Sequence, residues 1–493
     1  MTKSIVILGT MSSAGKSLIV TGLCRIFARR GIKVAPFKAQ NMSNNAAVCK
    51  DGGEIGRAQY LQAIACNIEP TVDMNPILLK PEGNSKSQIV LRGKVWDSLS
   101  AKNYYERKKQ LWNVVIESLE RLKREYELLI VEGAGSPVEL NLKQNDIVNM
   151  AIAKYLNAPT YIVGDIDRGG IFAQLLGTYW LLEEEEKKLV KGFIVNKFRG
   201  DINLFKDGIG IIQEKSGVPV VGIVPYINDL ILPEEDAATI DDFIHSYGKK
   251  IDICVISYPH ISNFDDFDAL KMHKEVNLRF VRKIEEFGTP DLVILPGSKN
   301  TISDLIWIKK TGFEDMLKRY VQEGGRLIGI CGGYQMLGKK IHDPQKMESD
   351  TSEIDGLGFL NTLTVLKTNK TTRQIMAKMV KDIGFFTEET LEGYEIHLGQ
   401  TEFLDDNHGI FEITVGNQVI TDGAFNDGFK VWGTYIHGIF NNDGFRNSFL
   451  KSLGIEFEEL SYKESLNKSI DLLADVMEKS IDVQKIMEDA GIF

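Results

Sequence analysis

Cysteine is scarce: the 493 residues hold five, Cys24, Cys49, Cys66, Cys254 and Cys331, widely scattered and without a Cys-x-x-Cys pair. Such spacing excludes a disulfide framework and a thiolate zinc site, and points to a reducing compartment. Basic charge is in deficit as well, with 58 Lys and Arg against 68 Asp and Glu. A net charge of -10 argues against a nucleic-acid or anionic-membrane surface, either of which would need a basic patch. No apolar stretch approaches a membrane-spanning length, and no basic segment precedes the short opening run, so the cytoplasm is the expected location. Repeats and low-complexity segments are missing too. What the chain does have is 43% hydrophobic residues and a length beyond one ordinary domain, as expected of a multidomain globular enzyme.

Its organising stretch runs from Ser4 to Val20. A short apolar run, Ile5 to Leu8, passes through Gly9-Thr10-Met11-Ser12-Ser13-Ala14-Gly15-Lys16-Ser17 into helical spacing from Leu18. The run suits a parallel strand covered on both faces, which puts the loop at a helix N-terminus. Unpaired first-turn amides favour an anion there, Lys16 can reach the outer phosphates, and the Ser17 hydroxyl suits magnesium. Gly9, Thr10, Ser12, Ala14, Gly15, Lys16 and Ser17 are the expected ATP contacts. Five residues, not the usual four, separate Gly9 from Gly15. This Gly-Thr-x-Ser-x-x-Gly-Lys-Ser pattern resembles the loop of the dethiobiotin synthetase family, whose members phosphorylate carbamates or carboxylates.

A second strand is expected over Lys33 to Lys38, then a polar loop from Ala39 to Gly56; Lys38, Asn41, Ser43, Asn44 and Asn45 are candidate substrate contacts. Glu54 opens a helical spacing through Ala58, Leu61 and Ala65, and Glu132 ends the apolar run Leu128 to Val131 just before Gly133 and Gly135. Both carboxylates are expected beside Ser17 as magnesium ligands, because ligands gather at the carboxyl ends of parallel strands. Thr160 to Asp165, Gly192 to Lys197 and Val220 to Val224 read as further strands, with Asn196 placed to read an adenine edge. Asp165 to Gly170 opens a helix beside the same crevice, and Glu183 to Glu186 reads as a solvated helix end. The expected organisation is a synthetase domain over 1–230, a linker over 231–250, a second α/β domain over 251–455 and a helical tail over 456–493. In the second domain strands are expected from Ile251, Leu292 and Arg326, with shorter ones around Leu357 to Leu360 and Gly409 to Val415.

That domain carries its own chemistry. Ile328 to Gly338 reads as a strand, a sharp glycine-flanked turn and a helix, with Cys331 where a nucleophile elbow places its reactive atom. A helix start lowers a thiol pKa and offers amides to an oxyanion. The partner base is His437, delivered after the aromatic strand at Val431 to Gly433.

Taken in order, with Pro296 to Thr301 between them, these motifs resemble the cobyric acid synthase family over almost the whole chain. Ala39 to Asn45, Asp165 to Gly170, Ile261 to Phe264 and Gly393 to His397 add to the likeness. The resemblance implies a P-loop parallel-sheet domain of the dethiobiotin synthetase type followed by a class I glutamine amidotransferase domain. It also implies ATP- and glutamine-dependent amidation of four peripheral carboxylates (b, d, e and g) of a corrinoid, adenosylcobyrinic acid a,c-diamide. ATP and Mg2+ are the implied cofactors and glutamine the nitrogen source; a homo-oligomer is as compatible with the sequence as a monomer. Gly297 and Gly332 are candidate oxyanion-hole donors. The usual triad reads His-x-Glu, whereas Ile439 stands two residues after His437, so another carboxylate must orient the imidazole if one does; Glu395 is the sequence candidate. Rival readings are cobyrinic acid a,c-diamide synthase, cytidine triphosphate synthase, whose histidine-proline-glutamate motif does not match, and a MinD-type switch ATPase, whose early P-loop lysine is replaced by Met11.

Overall fold

The computed structural model describes residues 2–82, 86–228, 230–233 and 250–492, so most of the expected linker lies outside the described residues. The first sheet is parallel and six-stranded, in the order Val220–Pro225, Val190–Phe198, Thr160–Asp165, β1 (Lys3–Gly9), Leu128–Glu132, β2 (Val34–Phe37). Alternation along β1 divides its side chains between two cores. Val6 and Leu8 pack with Phe37, Val131 and Ile162 on one face, and Ile5 and Ile7 pack with Val34, Ile130 and Val163 on the other. Each of these side chains is fully buried or nearly so, worth about 1.5–3 kcal/mol of transfer free energy, which is why the strands read as continuous apolar runs. Helix α1 (Lys16–Arg29) covers the second face with Ile19, Val20, Leu23 and Phe27.

The helical tail is not an appendage. Leu466, Ile470, Leu473, Ala474 and Met477 form the buried stripe of Tyr462–Ser480 and belong to the core beneath α1. Ion pairs from Arg25 and Arg29 to Asp471, and from Arg29 to Asp475, border that contact. The chain thus returns to its first domain after completing the second.

Between Ala39 and Gly56 the expected loop contains three short strands, Gln40–Met42, Ala46–Val48 and Glu54–Gly56. Gln40–Met42 joins Ile77–Pro81, Lys86–Leu91 and Lys94–Ser100 in a small sheet, and Ala46–Val48 pairs with Glu54–Gly56. Helix α2 (Arg57–Ala65) follows directly. In the second domain Val276–Val281, Ile251–Ile256, Leu292–Leu295, Arg326–Ile330 and Val431–Thr434 form a parallel run, extended by antiparallel strands that include Thr362–Met379, Thr390–Phe403 and His408–Val415. Leu357 to Leu360, expected as a strand, is irregular; the pairing segments flank it at Glu353–Asp355 and Thr362–Met379. Within Glu183 to Glu186 only part is solvated: Glu186 is buried, caps its helix and pairs with Lys143 at 2.6 Å.

Candidate active sites

At the end of β1 the loop turns into α1 through Gly15, whose φ of +96° is in the left-handed region that a side chain would strain. The Lys16 ammonium donates to the carbonyls of Met11 (2.9 Å) and Gly135 (3.2 Å), so it lies across the loop and touches the glycine turn after Glu132. Ser17 Oγ donates to Glu132 Oε1 at 2.8 Å, Lys38 Nζ to the same oxygen at 2.8 Å, and Gln62 Nε2 to Oε2 at 2.6 Å. Burial would raise the Glu132 carboxyl, but Lys38, then Gln62 and Ser17, outweigh it and hold the group below the usual carboxylate range. A serine hydroxyl and a carboxylate side by side at a phosphate loop are the hard oxygen donors that Mg2+ takes alongside phosphate oxygens, so these two residues fit the ion. Glu54 does not join them. It lies in a strand, not at a helix start, and its buried carboxylate is paired with Lys80 at 3.0 Å and with Lys370 of the second domain.

Other expected contacts are placed differently. Asn196 Nδ2 donates to the Ala14 carbonyl at 3.0 Å, packed under the loop at Gly15, so this amide braces the P-loop and is not turned outward to an adenine edge. Thr10 Oγ1 donates to Gln174, and Ser12 is exposed at the loop tip. Of the candidate substrate contacts, Lys38 is committed to Glu132, and Asn41 donates to Gln59. Asn45 accepts from the Phe264 amide of the second domain, while Ser43 is buried and Asn44 half-buried.

In the second domain the strand Arg326–Ile330 delivers Cys331 at φ 51° and ψ -107°, and the helix Gly332–Leu337 begins at once. This conformation is disfavoured for a residue with a Cβ and is held by backbone bonds on both sides, Cys331 N to Thr434 O (2.8 Å) and Gly333 N to Pro296 O (2.9 Å). A Cβ at Gly333 would fall 1.9 Å from the Leu295 carbonyl oxygen, so the turn requires glycine. Gly332 packs against Ser298, and a Cβ at Gly297 would lie 3.2 Å from His437 Cε1, which puts both candidate oxyanion glycines around the thiol and its base.

His437 is buried, stacks on Tyr394 (centroids 5.2 Å, 15°) and exchanges backbone bonds with it. Its Nδ1 is 2.7 Å from Asp266 Oδ2, and the Gly438 amide donates to the other Asp266 oxygen at 2.7 Å. The Cys331 thiol donates to the Ile396 carbonyl at 3.5 Å and also interacts with the imidazole. Burial opposes a charge on His437, but Asp266 and Cys331 outweigh it and push its pKa up to about 10. Asp266 is therefore the orienting carboxylate that the sequence motif lacks. Glu395 is not: it pairs with Arg373 at 2.5 Å and lies 3.5 Å from His397.

Two family models match the chain, one in each half. A family model described as a CobQ/CobB/MinD/ParA nucleotide binding domain matches residues 5–240, and one described as a CobB/CobQ-like glutamine amidotransferase domain matches residues 252–445. The chain is 46% identical over 495 residues to a cobyric acid synthase of Clostridium acetobutylicum, covering 99% of each. It is 49% identical over 453 residues to one of Chloroflexus aurantiacus, covering 91% of this chain and 92% of that one. Among solved structures, a glutamine amidotransferase crystal structure covers 41% of this chain and 99% of its own at 19% identity and a TM-score of 0.32.

Proposed function

The chain belongs to the cobyric acid synthase family, glutamine-dependent amidotransferases of cobalamin synthesis, and from that premise we propose that it amidates the b, d, e and g carboxylates of adenosylcobyrinic acid a,c-diamide, giving adenosylcobyric acid. The carrying observation is one chain that holds a thiol, imidazole and carboxylate set at Cys331, His437 and Asp266 together with a phosphate loop at Lys16, Ser17 and Glu132.

A carboxylate is a poor acyl donor because oxide would have to leave. In the proposed first step a substrate carboxylate oxygen attacks the γ-phosphorus of ATP, ADP leaves, and an acyl phosphate forms. Lys16 offsets the charge on the transferred phosphoryl, and Ser17 and Glu132 would hold Mg2+, which when bound neutralises phosphate charge. Ammonia then attacks the acyl carbon and phosphate leaves with its oxygen. The second domain supplies the ammonia. Cys331 sulfur attacks the glutamine amide carbon, and the amides of Gly297 and Gly332 face the oxyanion. The thiol proton passes to His437, which Asp266 holds protonated, and the C–N bond breaks as His437 gives that proton to the leaving nitrogen; water then cleaves the thioester to glutamate with His437 as base.

Incubation of the corrinoid with ATP and glutamine, followed by mass spectrometry, tests the reading. The expected result is four successive losses of about one mass unit each, OH replaced by NH2 at every step. A ladder that stops at two, or no ATP-dependent change at all, would overturn the substrate assignment.

A further inference from the structure

Four consecutive residues of the second domain, Asn263 to Asp266, divide their contacts between the two domains. Asn263 Nδ2 donates to the Ala46 carbonyl (3.0 Å) and to the Tyr394 hydroxyl (2.9 Å), and the Phe264 amide donates to Asn45 Oδ1 (3.2 Å). Asp265 Oδ2 lies 2.9 Å from Arg57 Nε, a charge contact and not an aligned hydrogen bond. The next residue, Asp266, holds His437 Nδ1 and the Gly438 amide. Arg57 is the first residue of α2, and Gln62 on the same helix holds Glu132 beside the P-loop. Arg57, Asp265, Asp266 and Gln62 are all buried, so no solvent intervenes to weaken the chain of contacts.

We propose that Arg57, from the synthetase domain, is a positioning residue of the glutaminase site: it holds Asp265, and so fixes the turn whose next carboxylate orients His437. The proposal rests on the reading of Cys331 and His437 as the glutamine-hydrolysing pair. Its physical basis is the cost of a buried charge without a partner. With the guanidinium removed, Asp265 stays in a dry site beside a second carboxylate, and the turn either opens to water or takes up a proton. Either response displaces Asp266, and misplacement of a catalytic base by about 1 Å costs on the order of a hundredfold in rate.

The groups around Asp265 give the effect a pH signature. Arg57 faces it from α2, Asp266 and Asp268 from its own segment, His437 from the loop after Val431–Thr434, and Tyr394 and Tyr462 from their own elements. Burial, with Asp266 and Asp268, pushes Asp265 up to about 6 against the pull of Arg57. Without Arg57 it rises further, so loss of activity on acidification begins at a higher pH.

The test measures glutaminase kcat and KM against pH for the full-length wild type, Arg57→Ala and Arg57→Lys, with thermal midpoints for each and ammonium-driven amidation as a check on the first domain. Arg57→Ala should lower kcat at least about tenfold, leave KM for glutamine within about threefold and move the acid limb upward, and Arg57→Lys should recover most of the loss. If the alanine variant does not fold, the same comparison is made with Arg57→Gln. A folded Ala or Gln variant with the wild-type kcat and acid limb overturns the proposal. So does a kcat loss that lysine does not relieve and that leaves the pH profile unmoved. A wild-type protein with no glutaminase at any pH sinks the functional reading instead, whatever Arg57 does.

Discussion

At the scale of single residues, the sequence reveals groups that sit in a local motif and hides those brought in from afar. Cys331 shows because its glycines and strand are contiguous with it, and Lys16 because loop and helix are adjacent in the chain. Asp266 does not show: it meets His437 across 171 residues, and nothing in its own surroundings marks it, since Asp265 and Asp268 are equally acidic neighbours. Glu395 stands in a stretch, Gly393 to His397, that shares in the likeness, and this alone makes it a candidate for the missing carboxylate. The two carboxylates therefore make a direct contrast. Asp266→Asn keeps a hydrogen-bond acceptor but removes the charge that raises His437, and should lower glutaminase kcat by about a hundredfold to ten-thousandfold. Glu395→Gln should change it far less. The sign of the pH effect follows from the direction of the shift. His437 is raised from 6.5 to about 10, so the stability it lends is full below 6.5 and lost as pH rises through about 10. In Asp266→Asn that loss should move to lower pH, read from thermal midpoints between pH 6 and roughly 10. Coincident profiles for wild type and Asp266→Asn would remove Asp266 from its role.

Elements are legible when their apolar period is unbroken, however far along the chain their partners lie. The strands at Ile5, Leu128, Thr160 and Ile194 are such runs. Glu54 shows the opposite case: helical spacing can be counted from it, yet Val48 pairs with it in a short antiparallel ladder and α2 starts only at Arg57. The amphipathic stripe of Tyr462–Ser480 is visible in the sequence, but not what it covers, because its partner α1 is more than four hundred residues earlier. That assignment predicts different costs for adjacent leucines. Leu473 is fully buried against α1, so Leu473→Ala should cost about 2–5 kcal/mol in denaturant unfolding. Leu472 is 47% exposed, and Leu472→Ala should stay within about 0.5 kcal/mol of wild type. Equal small losses at both positions would mean that the helix Tyr462–Ser480 is an appendage after all.

Across the whole molecule, the order of the two chemistries is readable from the positions of their motifs, whereas their physical joining is not. The synthetase and amidotransferase halves meet, beside the Glu54–Lys370 pair, through Asn45, Ala46 and Arg57 on one side and Asn263 to Asp265 on the other, and of the first three the sequence marks only Asn45, as a candidate substrate contact. Despite that contact the groups proposed to activate the carboxylate lie on the first sheet, and Cys331 is proposed only to release ammonia. Removing the thiol should therefore separate the reactions. Cys331→Ser presents a hydroxyl of much higher pKa to an imidazole that Asp266 already keeps protonated, so glutamine-dependent amidation should fall by at least about a thousandfold. Supplied with excess ammonium salt, the same variant should convert the corrinoid at close to the wild-type rate, because Lys16, Ser17 and Glu132 are untouched. Lys16→Ala should show the converse, losing amidation with either nitrogen donor while retaining glutaminase. Corrinoid product measured with each donor in turn decides the matter. A Cys331→Ser variant that keeps its glutamine activity has its nucleophile elsewhere, and one that is folded but inactive with both donors shows that the two sites are not the separable halves their separate cores imply.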